Sequence, residues 1–271
     1  MRSPAVASDA VTADAVTPDP WASLASRTPA RLALGRSGAS LPTCEVLALG
    51  LAQARARDAV HAELDVEALA AGLAPLGCAT LDVESAASDR AVYLRRPDFG
   101  RRLSARSRAM LGGTGTTGSD FAIVLADGLS ASAVNLNALP FLASLLPLLS
   151  ARSLAPVTLA RQARVALGDE IAALLGARMV LTLIGERPGL SAADSLGAYL
   201  TFAPRVGRTN AERNCVSNIR SGGLAPAVAA RKVAWLVDRA FSLSLTGVGL
   251  KDGSDEGVLP RAGAFGAIDP G

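Results

Sequence analysis

The sequence predicts an α/β protein with a Rossmann-like, mostly parallel open sheet and helices on both faces, preceded by a smaller, mainly helical N-terminal region. From residue 106 onward, short apolar runs alternate with helical patterns, as in repeated strand-helix units. Met179 to Ile184 is apolar except for Thr182, which is typical of an interior parallel strand covered on both faces. The turn at residues 185–189 follows it and carries a carboxylate and a guanidinium. Ligands bind at that edge of open α/β sheets.

The first 105 residues divide into two predicted segments. Residues 1–28 are rich in Ala, Asp, Pro, Ser and Thr without periodicity, so we expect disorder. Residues 29–105 form the helical region, with helices at Glu45–Glu63 and Val66–Leu73 and strand candidates at Ala79–Val83 and Ala91–Leu94. The densest basic cluster, Arg95 to Arg102, closes this region. A solvated loop and a docking surface or anion site are equally compatible with it.

Residues 106–250 form the predicted Rossmann-like domain, and residues 251–271 form a loose tail rich in Gly, Asp and Pro. The predicted strands are Phe121–Leu125, Val157–Ala160, Met179–Ile184 and Ala198–Phe202. The first predicted helix of this domain is capped by Ser130, and the second, Leu139–Leu149, has a kink at Pro147. The third, Asp169–Leu175, is ended by Gly176. A Ser191/Asp194 capping box opens the fourth, and the fifth, Pro226–Leu245, is closed by Gly247.

Two helices have apolar stripes that predict which side faces the core. These stripes are Leu47, Leu51, Ala54 and Val60 on the first helix, and Val233, Leu236, Ala240 and Leu243 on the last. Trp235 lies between Arg231 and Arg239 on the charged side of the last helix. A tryptophan there indicates either a protein contact or packing on its own domain.

Composition excludes several classes of function. The net charge is +3, and the dispersed arginines are rarely interleaved with aromatic residues, which argues against a nucleic-acid surface. Three widely spaced cysteines predict neither a disulfide framework nor a zinc site, and the single histidine, His61, rules out Cys/His clusters. No apolar run approaches the ~20 residues of a membrane span, and no signal peptide is recognisable. We therefore expect a soluble, intracellular protein.

Two motifs suggest alternative functions. Residues 113–118 match GxGxxG, but this motif precedes a strand, whereas a nucleotide-binding fingerprint must follow a strand and open a helix. Gly128-Leu-Ser130 resembles the nucleophile elbow of a serine hydrolase, but it lacks the second glycine and a nearby histidine base. A nucleotide-binding module and a hydrolase using Ser130 are thus the alternatives, and capping by Ser130 is favoured over catalysis.

Two carboxylates are predicted at the ligand edge of the sheet. Asp127 and Glu186 each follow a buried strand, where a carboxylate can do acid-base chemistry or accept hydrogen bonds from a ligand or from loop backbone. No histidine, lysine or metal motif accompanies them in the sequence. Binding is therefore the more economical role, and we assign no catalytic residue and no protein-held metal.

Several motifs, in order, resemble the small (light) subunit of ethanolamine ammonia-lyase from about residue 29 to residue 251. The uncovered parts are the two ends and residues 112–118. The motifs that carry the resemblance are Ala33–Thr43, Arg96–Arg101, Asp127–Ser130, Gly185–Leu190 and Arg213–Ile219.

This resemblance implies an enzyme that depends on adenosylcobalamin and converts ethanolamine to acetaldehyde and ammonia by a radical mechanism. It further implies a hetero-oligomer, in which a large subunit carries the substrate site and this chain closes the cobalamin site. The implied cofactor-binding residues are Val165, Glu186 and Cys215; the Cys215 match requires one deletion between Tyr199 and Arg213.

No DxHxxG motif is present, so the cofactor's own base is expected to stay on cobalt. The implied location is cytoplasmic, with a bacterial microcompartment as the alternative. We expect the partner contacts at Arg96–Arg102 and on the Trp235 face.

Overall fold

The computed structural model describes residues 16–28, 30–114 and 118–254. In chain order the helices are α1 (Ala22–Ala25), α2 (Thr43–His61), α3 (Val66–Leu73), α4 (Arg90–Arg95), α5 (Ala105–Gly112), α6 (Ala131–Leu145), α7 (Val165–Leu174) and α8 (Pro226–Leu243). The strands are β1 (Thr80–Glu84), β2 (Phe121–Ala126), β3 (Val157–Arg161), β4 (Met179–Gly185), β5 (Leu196–Phe202) and β6 (Arg213–Ile219).

The strands form one six-stranded sheet in the order β1-β3-β2-β4-β5-β6. The first four strands of that order are parallel, whereas β5 runs antiparallel to both β4 and β6. β2 and β4 lie in the middle and are buried along their whole length, which explains their continuous apolar sequences. The predicted α/β class and mostly parallel sheet are confirmed.

Helices cover both faces of this sheet, as predicted. Since side chains alternate along a strand, Phe121, Ile123 and Leu125 of β2 pack with α3, α6 and α8 in one core. Ala122 and Val124 point to the opposite face and pack with α5 and α7 in a second core. The carboxyl ends of β2, β3 and β4 therefore meet along one edge between two helical layers.

Several predictions of individual helices and strands are wrong. Ala91–Leu94, predicted as a strand, lies in helix α4, which begins directly after Asp89 because the side chain of Asp89 caps it by accepting a hydrogen bond from the N–H of Val92. The Ser191/Asp194 capping box opens no helix, because β4 and β5 pair antiparallel and need only a loop between them. The predicted helix start at Leu139 is wrong, because Pro140 lies inside the continuous helix α6, whereas the predicted interruption at Pro147 is confirmed, because α6 ends at Leu145 and a 3-10 turn follows.

The predicted inward stripes are partly wrong. On α2, Leu47 and Leu51 are 68% and 53% exposed, and on α8 Leu243 is 52% exposed. Val233, Leu236 and Ala240 are buried as predicted. Trp235, on α8, is half-buried and packs against the core that α8 shares with the sheet. This contact supports packing on its own domain. The guanidinium of Arg239 lies 5.7 Å from the centre of the Trp235 ring.

Helix α6 and the 3-10 turn that follows it, together Ala131–Leu149, are long and apolar enough to cross a membrane by length and composition alone, with a mean hydropathy of 1.5. The side chains of Val134, Phe141 and Leu142 are instead fully buried in the core that α6 shares with the sheet and α8. A central core helix has the same composition for that reason.

The chain divides into two compact units between Arg57 and Asp58, inside α2. The smaller unit contains the described residues up to 57 together with 189–191, and the larger unit contains the whole sheet. Strand β1, from the segment predicted as the mainly helical region, is one of the two edge strands of this sheet. The predicted domain boundaries at residues 28, 105 and 250 concern independent folding and stay predictions.

Candidate functional site

A pocket of about 240 Å³ lies at the carboxyl edge of the central strands. It is lined by one residue of α4, by the segments that follow β2 and β3 up to the start of α7, by the end of β4 and its loop, and by one residue of β5: Tyr93, Gly128, Leu129, Arg164, Val165, Ile184, Gly185, Glu186, Arg187 and Tyr199. The pocket therefore lies at the sheet edge where the sequence predicted a ligand site.

Two glycines allow the β2 and β4 loops to approach each other at the floor of this pocket. A Cβ on Gly185 would lie 1.9 Å from the carbonyl oxygen of Ser130, and a Cβ on Gly128 would lie 2.2 Å from that of Gly185. Gly128 also has a φ of +57°, which side chains rarely tolerate. Any larger residue at either position would separate the two loops.

Glu186 follows this contact directly, and its carboxylate is held on one side only. Its Oε2 accepts hydrogen bonds from the hydroxyl of Ser195 and, at 3.3 Å, from the N–H of Asn218. Among the described residues, Oε1 has no hydrogen-bond donor, and Glu186 forms no salt bridge with Arg187 or Arg205. One oxygen thus fixes the orientation of the group, and the other stays free to accept.

Val165 is the first residue of α7 and also lines the pocket. The preceding residue, Arg164, makes no capping hydrogen bond with its side chain. The first N–H groups of a helix have no partner within the helix, so the backbone donors of Val165 and Ala166 are open for a ligand. Val165 is placed to contribute its backbone rather than its side chain.

Cys215 lies on β6, directly opposite Tyr199 of β5, and it is exposed. Its sulfur lies 3.2 Å from the hydroxyl of Ser217. Burial raises the pKa of Tyr199, and Cys215 and Glu186 raise it further, so the phenol stays protonated. Cys215 does not line the pocket itself, but it contacts a tyrosine that does.

Asp127 serves the loop backbone, one of the two roles that the sequence left open. Its carboxylate accepts hydrogen bonds from the N–H groups of Gln162 and Ala163 at 2.8 and 2.9 Å, and Arg90 lies 3.5 Å away. Burial raises the pKa of Asp127, while these hydrogen bonds and Arg90 oppose that rise. Asp127 therefore holds β2 to the start of the loop before α7.

Tyr93 was not predicted as a site residue. It is fully buried, its hydroxyl donates to the carbonyl of Ala163 at 3.1 Å, and the guanidinium groups of Arg90 and Arg164 lie 4.7 and 4.2 Å from its ring centre. Its sequence neighbourhood was predicted as a strand, which concealed its position. Tyr93 positions Arg164, and thereby the start of α7, at the pocket.

The structure argues against a hydrolase motif at Ser130, and it does not describe the centre of the GxGxxG motif. Ser130 is buried and caps α6: its hydroxyl accepts from the N–H of Ala133 and donates to the carbonyl of Ala193 at 2.7 Å. The confirmed cap leaves no hydroxyl for nucleophilic attack. The central residues of the GxGxxG motif, 115–117, lie outside the described residues.

The pocket offers hydrogen bonding rather than a reaction centre. Among the described residues, no group of three His, Cys, Asp or Glu side chains could hold a metal ion. His61 lines a different cavity, next to Arg90 and Asp127. The described lining of the pocket combines one carboxylate, two guanidinium groups, backbone donors and a protonated phenol, a set of acceptors and donors that suits a large ligand with amide groups.

Known proteins resemble the chain over nearly its whole length. The family model described as ethanolamine ammonia-lyase light chain (EutC) matches residues 18–251. The ethanolamine ammonia-lyase small subunit of Bradyrhizobium diazoefficiens is 56% identical over 247 residues, which cover 90% of this chain and 95% of that relative. The small subunits of Azotobacter vinelandii and Xanthomonas campestris are each 53% identical; they cover 91% and 89% of this chain and 93% and 90% of their own lengths. The chain therefore belongs to the ethanolamine ammonia-lyase light-chain family.

Proposed function

We propose that this chain is the small subunit of an adenosylcobalamin-dependent ethanolamine ammonia-lyase, a lyase that converts ethanolamine to acetaldehyde and ammonia. In this proposal the chain closes one side of the cofactor site, and a large subunit supplies the substrate site. The observation that carries the proposal is the carboxylate of Glu186, which has one hydrogen-bonded oxygen and one free oxygen. It lies beside the start of α7, which no side chain caps, and both are at the ligand edge of the sheet.

The donor set of the pocket fits cobalamin. The corrin is ringed by neutral amides, which can be held by a carboxylate acceptor and by N–H donors and which need no metal ligand from the protein. Glu186 offers a free carboxylate oxygen and Val165 a free N–H, and no histidine is among the described lining residues. Cobalt would then be held by the corrin and by the cofactor's own base.

The size of the pocket supports a shared site. A cavity of about 240 Å³ is smaller than the roughly 300–1,000 Å³ of pockets that enclose a whole small ligand, so the chain would cover only one part of the cofactor. The remaining contacts would come from the large subunit in a hetero-oligomer. Cys215, exposed beside Tyr199, would contact the cofactor at the margin of this pocket.

The chain's own residues would bind and orient rather than react. The free oxygen of Glu186 would accept an amide N–H, and the first backbone amides of α7 would donate to amide oxygens. Adenosylcobalamin supplies an organic radical when its cobalt–carbon bond breaks. We assign this chain no catalytic residue, and we propose a cytoplasmic location, with a bacterial microcompartment as the alternative.

Reconstitution tests this proposal. The purified chain, a purified large subunit and their mixture are each incubated with adenosylcobalamin and ethanolamine, and acetaldehyde is measured. We expect acetaldehyde, and a change in the visible spectrum of the cofactor, from the mixture only. Turnover by the isolated chain, or a mixture that leaves the spectrum unchanged, would contradict the proposal.

A further inference from the structure

A second cleft, of about 540 Å³, lies beside the pocket and is rich in arginine. Arg164 and Val165 line both cavities, so the two are neighbours along the start of α7. The five arginines that line the cleft come from three loops and one strand: Arg101, Arg102, Arg164, Arg208 and Arg213. We call these residues, with Val165 and Ala166, the arginine cleft.

Only two of the five guanidinium groups are neutralised. Arg208 pairs with Glu212, and Arg213 pairs with the buried carboxylate of Asp169. Arg101, Arg102 and Arg164 form no salt bridge with any described residue. The nearby carboxylate of Asp98 is already held by two guanidinium nitrogens, Nε and Nη2, of a different residue, Arg96. The cleft therefore concentrates positive charge without a matching anion from the described chain.

Arg213 carries an unsatisfied donor in this cleft. Its side chain is only 3% exposed, and its terminal nitrogens bind Asp169, Asn210 and the carbonyl of Arg208. Its Nε is buried without a hydrogen-bond partner, but so is Oδ1 of its own salt-bridge partner, Asp169. The Nε of Arg164 is also buried without a partner. Buried donors of charged groups are normally satisfied, so the Nε of Arg164, a residue without a salt bridge to any described residue, indicates a missing partner such as an ion.

The start of α7 adds backbone donors to the same cleft. Val165 and Ala166 are the first two residues of this ten-residue helix, and no side chain caps it. A helix start attracts anions because its N–H groups are unpaired and its dipole is positive there. Arginine forks, free amides and a positive helix end are together the donor set that recognises phosphate oxygens.

We infer that the arginine cleft binds a phosphate group. Two sources share this chemistry: a free phosphate-bearing molecule, or the phosphodiester of a ligand that also occupies the neighbouring pocket. A phosphate matches the cleft better than a single carboxylate, because it offers more acceptor oxygens to donors that converge from several sides. The basic cluster of the sequence thus contributes Arg101 and Arg102 to an anion site, one of its two predicted roles.

Phosphate titration into the full chain tests this inference without any cobalamin, so its outcome does not depend on the proposed function. Binding of inorganic phosphate is measured by calorimetry at constant ionic strength, balanced with sodium chloride. We expect saturable binding that weakens about tenfold or more in the double variant R101Q/R102Q, since charged hydrogen bonds are lost. Both arginines are exposed, so the fold should persist.

The double variant R106Q/R205Q is the matched control, because it removes two charges from exposed positions that do not line the cleft. It should bind phosphate as the unmodified chain does. No saturable binding by the unmodified chain, or equal weakening in both double variants, would overturn the inference.

A competition experiment distinguishes the two sources, and this second step does rest on the proposed function. The reconstituted two-subunit enzyme is titrated with adenosylcobalamin or with adenosylcobinamide, which lacks the nucleotide phosphate, at rising phosphate concentration. Weakened binding of adenosylcobalamin alone would assign the cleft to the cofactor's phosphodiester. Unchanged binding of both would assign it to a separate phosphate-bearing molecule.

Discussion

The carboxylate of Glu186 accepts the backbone N–H of Asn218 at 3.3 Å, although the two residues lie 32 positions apart. This contact joins the loop after β4 to the end of β6, two strands away in the sheet. Asn218 has a φ of +60°, and Gly223 packs so close to it that a Cβ there would lie 2.5 Å from the Asn218 carbonyl. The orientation of Glu186 is thus set by the sheet and by Ser195, before any ligand binds.

Changing Glu186 to Gln should weaken the binding of adenosylcobalamin by the two-subunit enzyme by about one to two orders of magnitude. The introduced glutamine would keep its oxygen toward Ser195 and Asn218, because both are donors there, and would turn an amide N–H toward the pocket. A charged acceptor worth roughly 1.5–3 kcal/mol would be replaced by a donor. The measurement is a titration followed by the visible spectrum of the cofactor.

Ser195→Ala is the control for this prediction, since it removes the hydroxyl that orients Glu186 but keeps the carboxylate. We expect a smaller loss of affinity than for Glu186→Gln. If Glu186→Gln instead lowered the thermal midpoint with and without cofactor while affinity stayed normal, Glu186 would only hold the turn.

Changing Ser130 to Ala should lower the free energy of unfolding by about 0.5–2 kcal/mol, because the cap of α6 is lost. Urea unfolding followed by circular dichroism measures this. No esterase activity should be present before or after the change. An ester-hydrolysing activity that disappears with the hydroxyl would restore the hydrolase alternative.

Changing Asp169 to Ala should lower the free energy of unfolding by about 3–5 kcal/mol, because it leaves the charge of Arg213 buried without its partner. Burial raises the pKa of Asp169, and Arg213 opposes that rise. The double variant D169L/R213M, which removes both charges, should recover much of the loss in the same urea measurement. If the double variant were as unstable as the single one, the loss of stability would come from losing the ion pair and not from leaving the charge of Arg213 unpaired.

Glu212 should stabilise the fold in a pH-dependent way. Hydrogen bonds from the backbone of Thr209, then from Arg208 and the Thr209 hydroxyl, lower the pKa of Glu212 from 4.5 to about 2. A lowered folded-state pKa contributes stability that is complete above pH 4.5 and is lost as the pH falls towards 2.

Thermal midpoints of the unmodified chain and of Glu212→Gln, measured from pH 7 to pH 2, check this. The difference between them should be constant above about pH 5 and should shrink below it, as the ordinary carboxyl pKa requires. A difference that grew with acid would have the wrong sign and would reject the assigned contacts.

Local sequence was sufficient wherever one short segment carries the whole physical reason for a structure. The apolar runs of β2 and β4 could be recognised because both faces of a central strand are buried. The cap of α6 by Ser130 and the left-handed end of α7 at Gly176 (φ +68°) likewise depend only on neighbouring residues. The position of Glu186 at the sheet edge was predictable for the same reason, since it directly follows a recognisable strand.

The remaining features depend on which segments meet in space. The antiparallel pairing of β5 with β4 overrides the capping box at Ser191, because a short loop replaces the helix that a parallel crossover would need. Tyr93, Tyr199 and Asn218 reach the site only through the fold. The sequence by itself determined the central parallel strands β2, β3 and β4, their ligand edge and the carboxylate on it. Tertiary structure alone decided which arginines are neutralised and which remain free in the arginine cleft, because ion pairing depends on distance in space and not along the chain.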